Sequence, residues 1–407
     1  MSFRSYCSTV KLLQQHRLIE RLILMRLSST KTPNSTGSLH SSQEGSDDQS
    51  GKMRGWQIHE YGGVEILQLS NNIKIPTITS PNEVCVEVHT ASVNPIDVAI
   101  MGGYGSTLLN VLRCNTNIEF PLTLGRDFCG VVTRKGMSVR EDIQIGDKVW
   151  GVVPPHRSGC HAEYVVVDES CISHKPETID DIEAAGVLYA GLTAWSGLFI
   201  SGHIGGVLGA VTSQGGGQGK RLCILGASGG VGSIATQIAK AENVKITATC
   251  STDCIQMVKN LGADHVIDYT SDDVIEKFRD LSFDVVLDCA GLGLEYATKV
   301  PWKFDQYITF SSPLLRNIDS NGIGIGFFKN IVNLLESNIQ SMSKYRGLSK
   351  WAYFVPAPQG IEYLTKQVER NKITPVVDSI FDFDATSDAY QRVADGHLRG
   401  KVILKIK

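Results

Sequence analysis

A turn able to grip phosphate is the most chemically informative segment of the sequence. Gly226-Ala227-Ser228-Gly229-Gly230-Val231-Gly232 follows the apolar run Arg221-Leu222-Cys223-Ile224-Leu225, and Val231, Ile234, Ala235, Ile238 and Ala239 continue at helical spacing. Between a buried strand and an amphipathic helix, Gly226 can make the tight turn. Gly229 and Gly230 let backbone approach a pyrophosphate, and Gly232 allows close helix packing. The N–H groups of Ser228 to Val231 would lie at a helix N-terminus, where the dipole also favours an anion. The chemistry expected is the seating of a nicotinamide dinucleotide. The next strand ends Ala248-Thr249-Cys250-Ser251-Thr252, without the carboxylate that usually accepts from the ribose hydroxyls. Ser251 is thus a candidate donor to a 2′-phosphate, and NADPH is expected over NADH, although Asp253 lies only two residues on. Helix capping is the alternative role for Ser251 and Thr252. Tyr269, just past the third strand, is a candidate to lie against adenine.

The elements that must hold this turn are legible around it. From Lys220 onward, apolar strands at 221–225, 245–249, 265–268, 283–288 and 306–310 alternate with helical patterns, which predicts a doubly wound parallel sheet. From Met53 to about Glu177 the pattern is instead short β-like runs broken by Gly, Pro and Asn, such as Val84-Cys85-Val86-Glu87-Val88 and Asp147-Lys148-Val149-Trp150. A helix over Ile182 to Leu198 leads from one pattern to the other. The closing segment, 372–407, has β-like ends around a helix at Thr386 to Ala394. Leu314 to Lys350 contains an amphipathic stretch, Ile323 to Leu335, that suits a pocket wall, a partner surface or ordinary core. The expected organisation is therefore a β domain at 53–177, a dinucleotide domain at 178–371, and a return segment at 372–407.

The first 32 residues differ. Arg4, Lys11, Arg17, Arg21, Arg26 and Lys31 stand against the single acid Glu20, and Leu12, Leu13, Ile19, Leu22, Ile23 and Met25 can share a helical face. Acid-poor, Arg-rich and amphipathic is the pattern of a mitochondrial transit peptide, followed by a Ser, Gly and Asp-rich linker at 33–52. The net charge of −3 gives no reason to expect nucleic acid. None of the ten cysteines forms a C-x-x-C pair, which suits a reducing compartment.

Ala91-Ser92-Val93-Asn94-Pro95-Ile96-Asp97, Pro121-Leu122-Thr123-Leu124-Gly125-Arg126-Asp127, Gly146-Asp147-Lys148-Val149-Trp150-Gly151, Thr193-Ala194-Trp195 and the Ala227–Gly232 turn resemble the quinone oxidoreductase branch of the medium-chain dehydrogenase/reductases. The resemblance runs from about Met53 to Lys407. It implies an α/β fold, with a GroES-like β-barrel catalytic domain joined to a Rossmann domain. Zinc members of that superfamily carry Gly-His-Glu where this chain has Gly125-Arg126-Asp127, and a lobe of four closely spaced cysteines that this chain lacks; no catalytic zinc is expected. Where many soluble members carry a lysine for the 2′-phosphate, this chain has Cys254. Cys289 and Thr309, at the carboxyl ends of strands four and five, and His397, Leu398 and Arg399, near the C-terminus, are implied cofactor contacts.

The chemistry then implied is hydride delivery to an electrophilic quinone or enone, with the protein supplying position and a dry pocket. Candidates to hydrogen-bond or protonate the acceptor are Tyr104, a phenol between two glycines, and Asn94, whose amide could orient nicotinamide or substrate. Thr193 is a third candidate near the cleft. An enoyl-thioester reductase, or an NADPH-binding accessory protein with little turnover, are the other readings. A closer match to a mitochondrial subgroup, carried by Gly103-Tyr104-Gly105 and Gly396-His397-Leu398-Arg399-Gly400-Lys401, implies a matrix protein linked to coenzyme Q biosynthesis and respiratory-chain function. Peripheral membrane association and a homodimer formed edge to edge through the nucleotide domain are further expectations.

Overall fold

Strands broken by glycine and proline build the first half of the protein, and uninterrupted apolar strands build the second. The computed structural model describes residues 51–113, 119–206, 216–271, 274–300, 302–345 and 347–407. The expected transit segment and nearly all of the linker lie outside the described residues. The β domain comprises β1 (Lys52–Ile58), β2 (Gln68–Lys74), β3 (Glu83–Val93), β4 (Leu122–Thr123), β5 (Asp127–Lys135), β6 (Lys148–Val152), β7 (Tyr164–Asp168) and β8 (Ile172–His174). Helices α1 (Pro95–Met101) and α2 (Ser106–Arg113) interrupt it between β3 and β4.

The connecting helix expected over Ile182–Leu198 is two helices, α3 (Asp181–Ala185) and α4 (Leu188–Trp195), the second running on into a π turn at Ser196–Ser201. The break falls at Gly186, where a Cβ would sit 3.3 Å from the Ile403 side chain; the chain bends there to pack against the barrel. The dinucleotide half follows with β9 (Arg221–Leu225), α5 (Gly230–Ala241), β10 (Lys245–Cys250), α6 (Ile255–Asn260), β11 (His265–Asp268), α7 (Val274–Phe278), β12 (Ser282–Asp288), α8 (Gly293–Lys299) and β13 (Lys303–Thr309). It ends with α9 (Leu314–Tyr345), β14 (Leu348–Trp351) and α10 (Pro358–Glu369). All its strands are parallel, in the order β11-β10-β9-β12-β13-β14. The order reverses between β9 and β12, so a crevice opens at their carboxyl ends, beside the glycine turn.

Finally β15 (Val377–Asp382), α11 (Thr386–Ala394) and β16 (Lys401–Lys405) carry the chain back. β16 pairs antiparallel with β3, Val402 opposite Val93 and Ile403 opposite Ser92, and closes the sheet β15-β16-β3-β5-β6-β8. A continuous apolar core runs from Val149 and Trp150 of the barrel through Leu192 and Trp195 of α4 to Ile224 and Ile238. The two halves thus share one buried apolar cluster.

Helix α9 is longer than the amphipathic stretch expected, and it is kinked at Gly322, whose φ is 77°. Before the kink it packs on α2: Asp319 accepts from the backbone of Gly105 at 2.7 Å and Thr107 at 3.0 Å, at the start of α2. After the kink it covers the free edge of the sheet. The Asn338 amide accepts from Ser349 N at 2.8 Å and donates to Ser349 O at 3.0 Å, imitating a neighbouring strand.

Candidate active site

The glycine turn adopts the conformation its residue types suggest. Gly226 has φ 79°, a left-handed position that a side chain would strain, and a Cβ there would lie 3.0 Å from the Ala290 backbone. A Cβ on Gly232 would overlap the Gly226 carbonyl oxygen, so only glycine lets α5 come this close to the turn. At Gly229 the space is open. Thr249, which the sequence reading passed over, fastens the turn from the next strand: its hydroxyl accepts from Gly226 N at 3.1 Å and its carbonyl from Ala227 N at 2.9 Å. Alternation along β10 would have singled it out as the inward polar residue at a strand end. The N-terminus of α5 has no side-chain cap, and the Gly400 N–H donates to Ser228 O at 3.0 Å beside it.

Around the carboxyl ends of the strands, the expected contacts divide. Ser251 donates to Asp253 at 2.5 Å, and Asp253 is ion-paired with Arg399, each about half exposed. Ser251, expected at the 2′-phosphate, and Arg399, expected as a cofactor contact, therefore meet at one carboxylate. Arg399 is also held by its own N–H, which donates to Asp378 at 2.8 Å. His397 is exposed with φ 51°, and Leu398 packs on the barrel core instead of facing the crevice. Tyr269 stands 48% exposed, with its N–H bonded to Cys250 O, beside the ribose end of the crevice. Cys289 lies across from the turn, its N–H bonded to Leu225 O, and burial pushes its thiol well up. Thr309 does not present its hydroxyl: it is fully buried and donates to Asp288 at 2.7 Å. Asp288 in turn accepts from the backbone of Ala290, Leu292 and Gly293, so Thr309 shapes the loop after β12.

A buried charged cluster joins the halves next to the turn. Lys401, first residue of β16, donates to the Asn94 carbonyl oxygen and lies 3.7 Å from Asp127. Its stem crosses Gly230, where a Cβ would approach within 2.8 Å of the lysine side chain. Asp127 also accepts from the Asn94 amide at 2.9 Å, from the Ser92 hydroxyl, and from Tyr189 N at 3.3 Å. Burial lowers the Lys401 pKa and raises that of Asp127, in each case against the opposing charge of the other. Asn94 therefore serves differently from the role expected. Its side-chain oxygen accepts from Lys401, and its two N–H bonds go to Ser92 and Asp127, so both of its donors are spent inside this buried cluster. Thr193 likewise spends its hydroxyl inside its own helix, donating to Tyr189 O at 2.8 Å.

Tyr104 reaches across the crevice. Its hydroxyl is 3.3 Å from Ser312 O, just beyond β13, and burial raises its pKa, so the phenol stays protonated at neutral pH. The Ser312 hydroxyl lies 2.8 Å from that of Tyr353. Beside them Tyr189, on α4, stacks on Phe354 with centroids 4.3 Å apart, and burial raises its pKa far above the ordinary phenol. Tyr189 was missed because its run, Val187-Leu188-Tyr189-Ala190, reads as a plain core helix.

The position corresponding to the zinc ligand of metal-dependent relatives is filled by a cation. Arg126 is buried, 3.4 Å from Asp97, and donates to the carbonyls of Pro154 and Arg157, each at 3.1 Å. Among the described residues no group of three or more His, Cys, Asp or Glu side chains could hold a metal ion.

A GroES-like barrel joined to a six-stranded parallel dinucleotide sheet, with the crevice between them, defines a medium-chain dehydrogenase/reductase. The family model described as alcohol dehydrogenase GroES-like domain matches residues 80–177, and that described as zinc-binding dehydrogenase matches residues 261–404. The protein named NAD(P)H oxidoreductase RTN4IP1, mitochondrial, of Drosophila melanogaster is 50% identical over 360 residues, 88% of this chain and 87% of its own. Its Homo sapiens namesake is 39% identical over 366 residues, 87% and 89% of the two chains. Among solved structures, the quinone oxidoreductase from Coxiella burnetii aligns with a TM-score of 0.68 at 26% identity, covering 88% of this chain and 100% of that one. The chain belongs to the RTN4IP1 family of mitochondrial NAD(P)H oxidoreductases. The compartment in the relatives' names is the one expected from the first 32 residues.

Proposed function

We propose that this protein is a mitochondrial NADPH-dependent, zinc-independent reductase that delivers hydride to a quinone or another activated enone. The observation that carries the reading is the juxtaposition of two features across one crevice. One is an uncapped helix N-terminus behind Gly226–Gly232; the other is the protonated Tyr104 phenol bridging to Ser312. When bound, the nicotinamide supplies the hydride. The backbone of Ser228 to Val231 holds its pyrophosphate, and Arg399 with Ser251 meets the 2′-phosphate. Tyr104 would exchange its long hydrogen bond to Ser312 O for one to the acceptor oxygen, and can pass it a proton as charge develops there. Stacked Tyr189 and Phe354 supply an apolar wall that suits a flat ring and excludes water. The fixed Arg126 guanidinium, where metal-dependent relatives bind zinc, supports the zinc-independent part of the reading. A matrix role in coenzyme Q biosynthesis and respiratory-chain function is consistent with a quinone acceptor.

The test is steady-state NADPH oxidation against a panel of soluble quinones, simple enones and 2-enoyl thioesters. Turnover with quinones or enones, cut about 10²-fold by Tyr104→Phe at unchanged NADPH affinity, is expected. Reduction of thioesters alone would make the protein an enoyl-thioester reductase. Tight NADPH binding with no acceptor reduced would leave an accessory protein.

A further inference from the structure

Beyond its kink, α9 is built inside out. Its inner face is largely polar: along with Leu334, the side chains of Asn330, Asn338 and Ser341 are buried, with Asn338 bonded to the Ser349 backbone and Ser341 3.0 Å from the Ser349 hydroxyl. Its outer face is apolar, carrying Ile325, Phe328, Val332, Leu335, Ile339 and Met342. These recur at alternating steps of three and four residues, the seam of a coiled coil. Phe328 is 65% exposed and Ile339 69%, and the stripe spans roughly 27 Å of helix. A surface helix ordinarily turns such a stripe to the core. Here the core side is occupied by polar groups that close the sheet edge, and at Ser349 they take the backbone groups that an edge-to-edge dimer would use.

We propose that this stripe is an interface between two copies of the chain, pairing α9 with the α9 of a second copy in antiparallel fashion about a two-fold axis. The spacing is self-complementary in that arrangement. Ile325 falls opposite the partner's Met342, Phe328 opposite the partner's Ile339, and Val332 opposite the partner's Leu335. The charges agree: Lys329 and Glu336 lie seven residues apart on one flank, so antiparallel pairing sets Lys329 near the partner's Glu336, twice by symmetry. A bilayer fits less well, because from Ile323 to Tyr345 the sequence carries only Lys329, Glu336 and Lys344, one of them acidic, where an interfacial helix has a polar face rich in Lys and Arg. One helix pair buries less than the ~1,200 Å² of a standard stable interface, so self-association in the micromolar range is expected. The pairing does not depend on which acceptor is reduced.

Sedimentation of the full-length chain from about 1 to 200 µM is the experiment, with mass rising toward about twice the 44.3 kDa of one chain. Leu335→Glu should hold it monomeric throughout. Lys329→Glu should weaken association about three- to tenfold, and Lys329→Glu with Glu336→Lys should restore it, a rescue that general misfolding would not give. Oxidised Val332→Cys/Leu335→Cys chains should run as covalent dimers. A chain monomeric at every concentration overturns the proposal. So does a dimer unaffected by Leu335→Glu, or a stripe that serves only to bind vesicles of phosphatidylcholine and cardiolipin.

Discussion

Lys401 shows how much a single side chain carries here. It stands in the closing motif, yet its work is done among residues from β3, β5 and the start of α5, none of which is near it in sequence. Removing it leaves Asp127 buried without its cation, and Lys401→Met should destabilise the fold by about 3–5 kcal/mol, read as the midpoint of denaturant unfolding. Lys401→Met combined with Asp127→Asn should recover part of that loss. At the other end of the crevice, Asp253 is ion-paired with Arg399 and would compete with a 2′-phosphate for it. Asp253→Asn should tighten NADPH about fivefold and leave NADH little changed, and Arg399→Ala should do the reverse; titration calorimetry with both nucleotides checks it. Both the glycine turn and the phenol stand out in the sequence by residue type alone. The contacts of Asn94 with Lys401 and Asp127 do not, because they depend on segments distant in sequence.

Elements decide what those side chains can do. Gly232 lets α5 press against the turn, and Gly232→Ala would push its Cβ into the Gly226 carbonyl, a strain of about 1–3 kcal/mol. Dinucleotide affinity should fall at least tenfold, measured by quenching of intrinsic fluorescence. A second element-scale contact ties β3 to α11 through His161: its Nε2 lies 3.1 Å from Ser92 O, and Nδ1 2.9 Å from the Tyr390 hydroxyl. The carbonyl requires a proton on Nε2, so Nδ1 accepts from Tyr390 and the ring is neutral. Burial lowers its pKa accordingly, although Asp97 pulls the other way. An unfolded His161 binds a proton near pH 6.5 that the folded ring refuses, so stability is full above that pH and falls as pH drops below it. Thermal melts at pH 7.5 and 5.5 should show a smaller drop for His161→Gln than for the native chain. Apolar runs and turn residues foretold β9 to β12 and the closing β15 and β16 to within a residue or two, and left β1, β2, β4 and β8 unread. The edge strand β14 and helix α10 went unread, because Leu348-Ser349-Lys350-Trp351 is too short and too polar to announce a strand.

Across the whole molecule the crevice is held from both sides. The shared core fixes the back, and at the front the segment from Ser312 to Asp319 clasps the Tyr104 loop through Tyr104 and the backbone of Gly105 and Thr107. Asp319→Ala should loosen that clasp and lower kcat more than NADPH affinity, because the phenol loses its fixed position while the glycine turn is untouched. A parallel fall in both would mean that the clasp acts on the entire dinucleotide half. By itself the sequence determined the α/β fold class, the glycine turn between strand and helix, and the family resemblance. These are local properties, written in glycine spacing, strand periodicity and contiguous motifs. Only the tertiary structure decided that Asn94 and Thr309 are spent on their neighbours, that Arg399 meets Asp253, and that α9 turns its apolar face outward. Each of those depends on which distant groups arrive beside a given side chain, and hydrogen-bonding capacity, once taken by one partner, is not there for another.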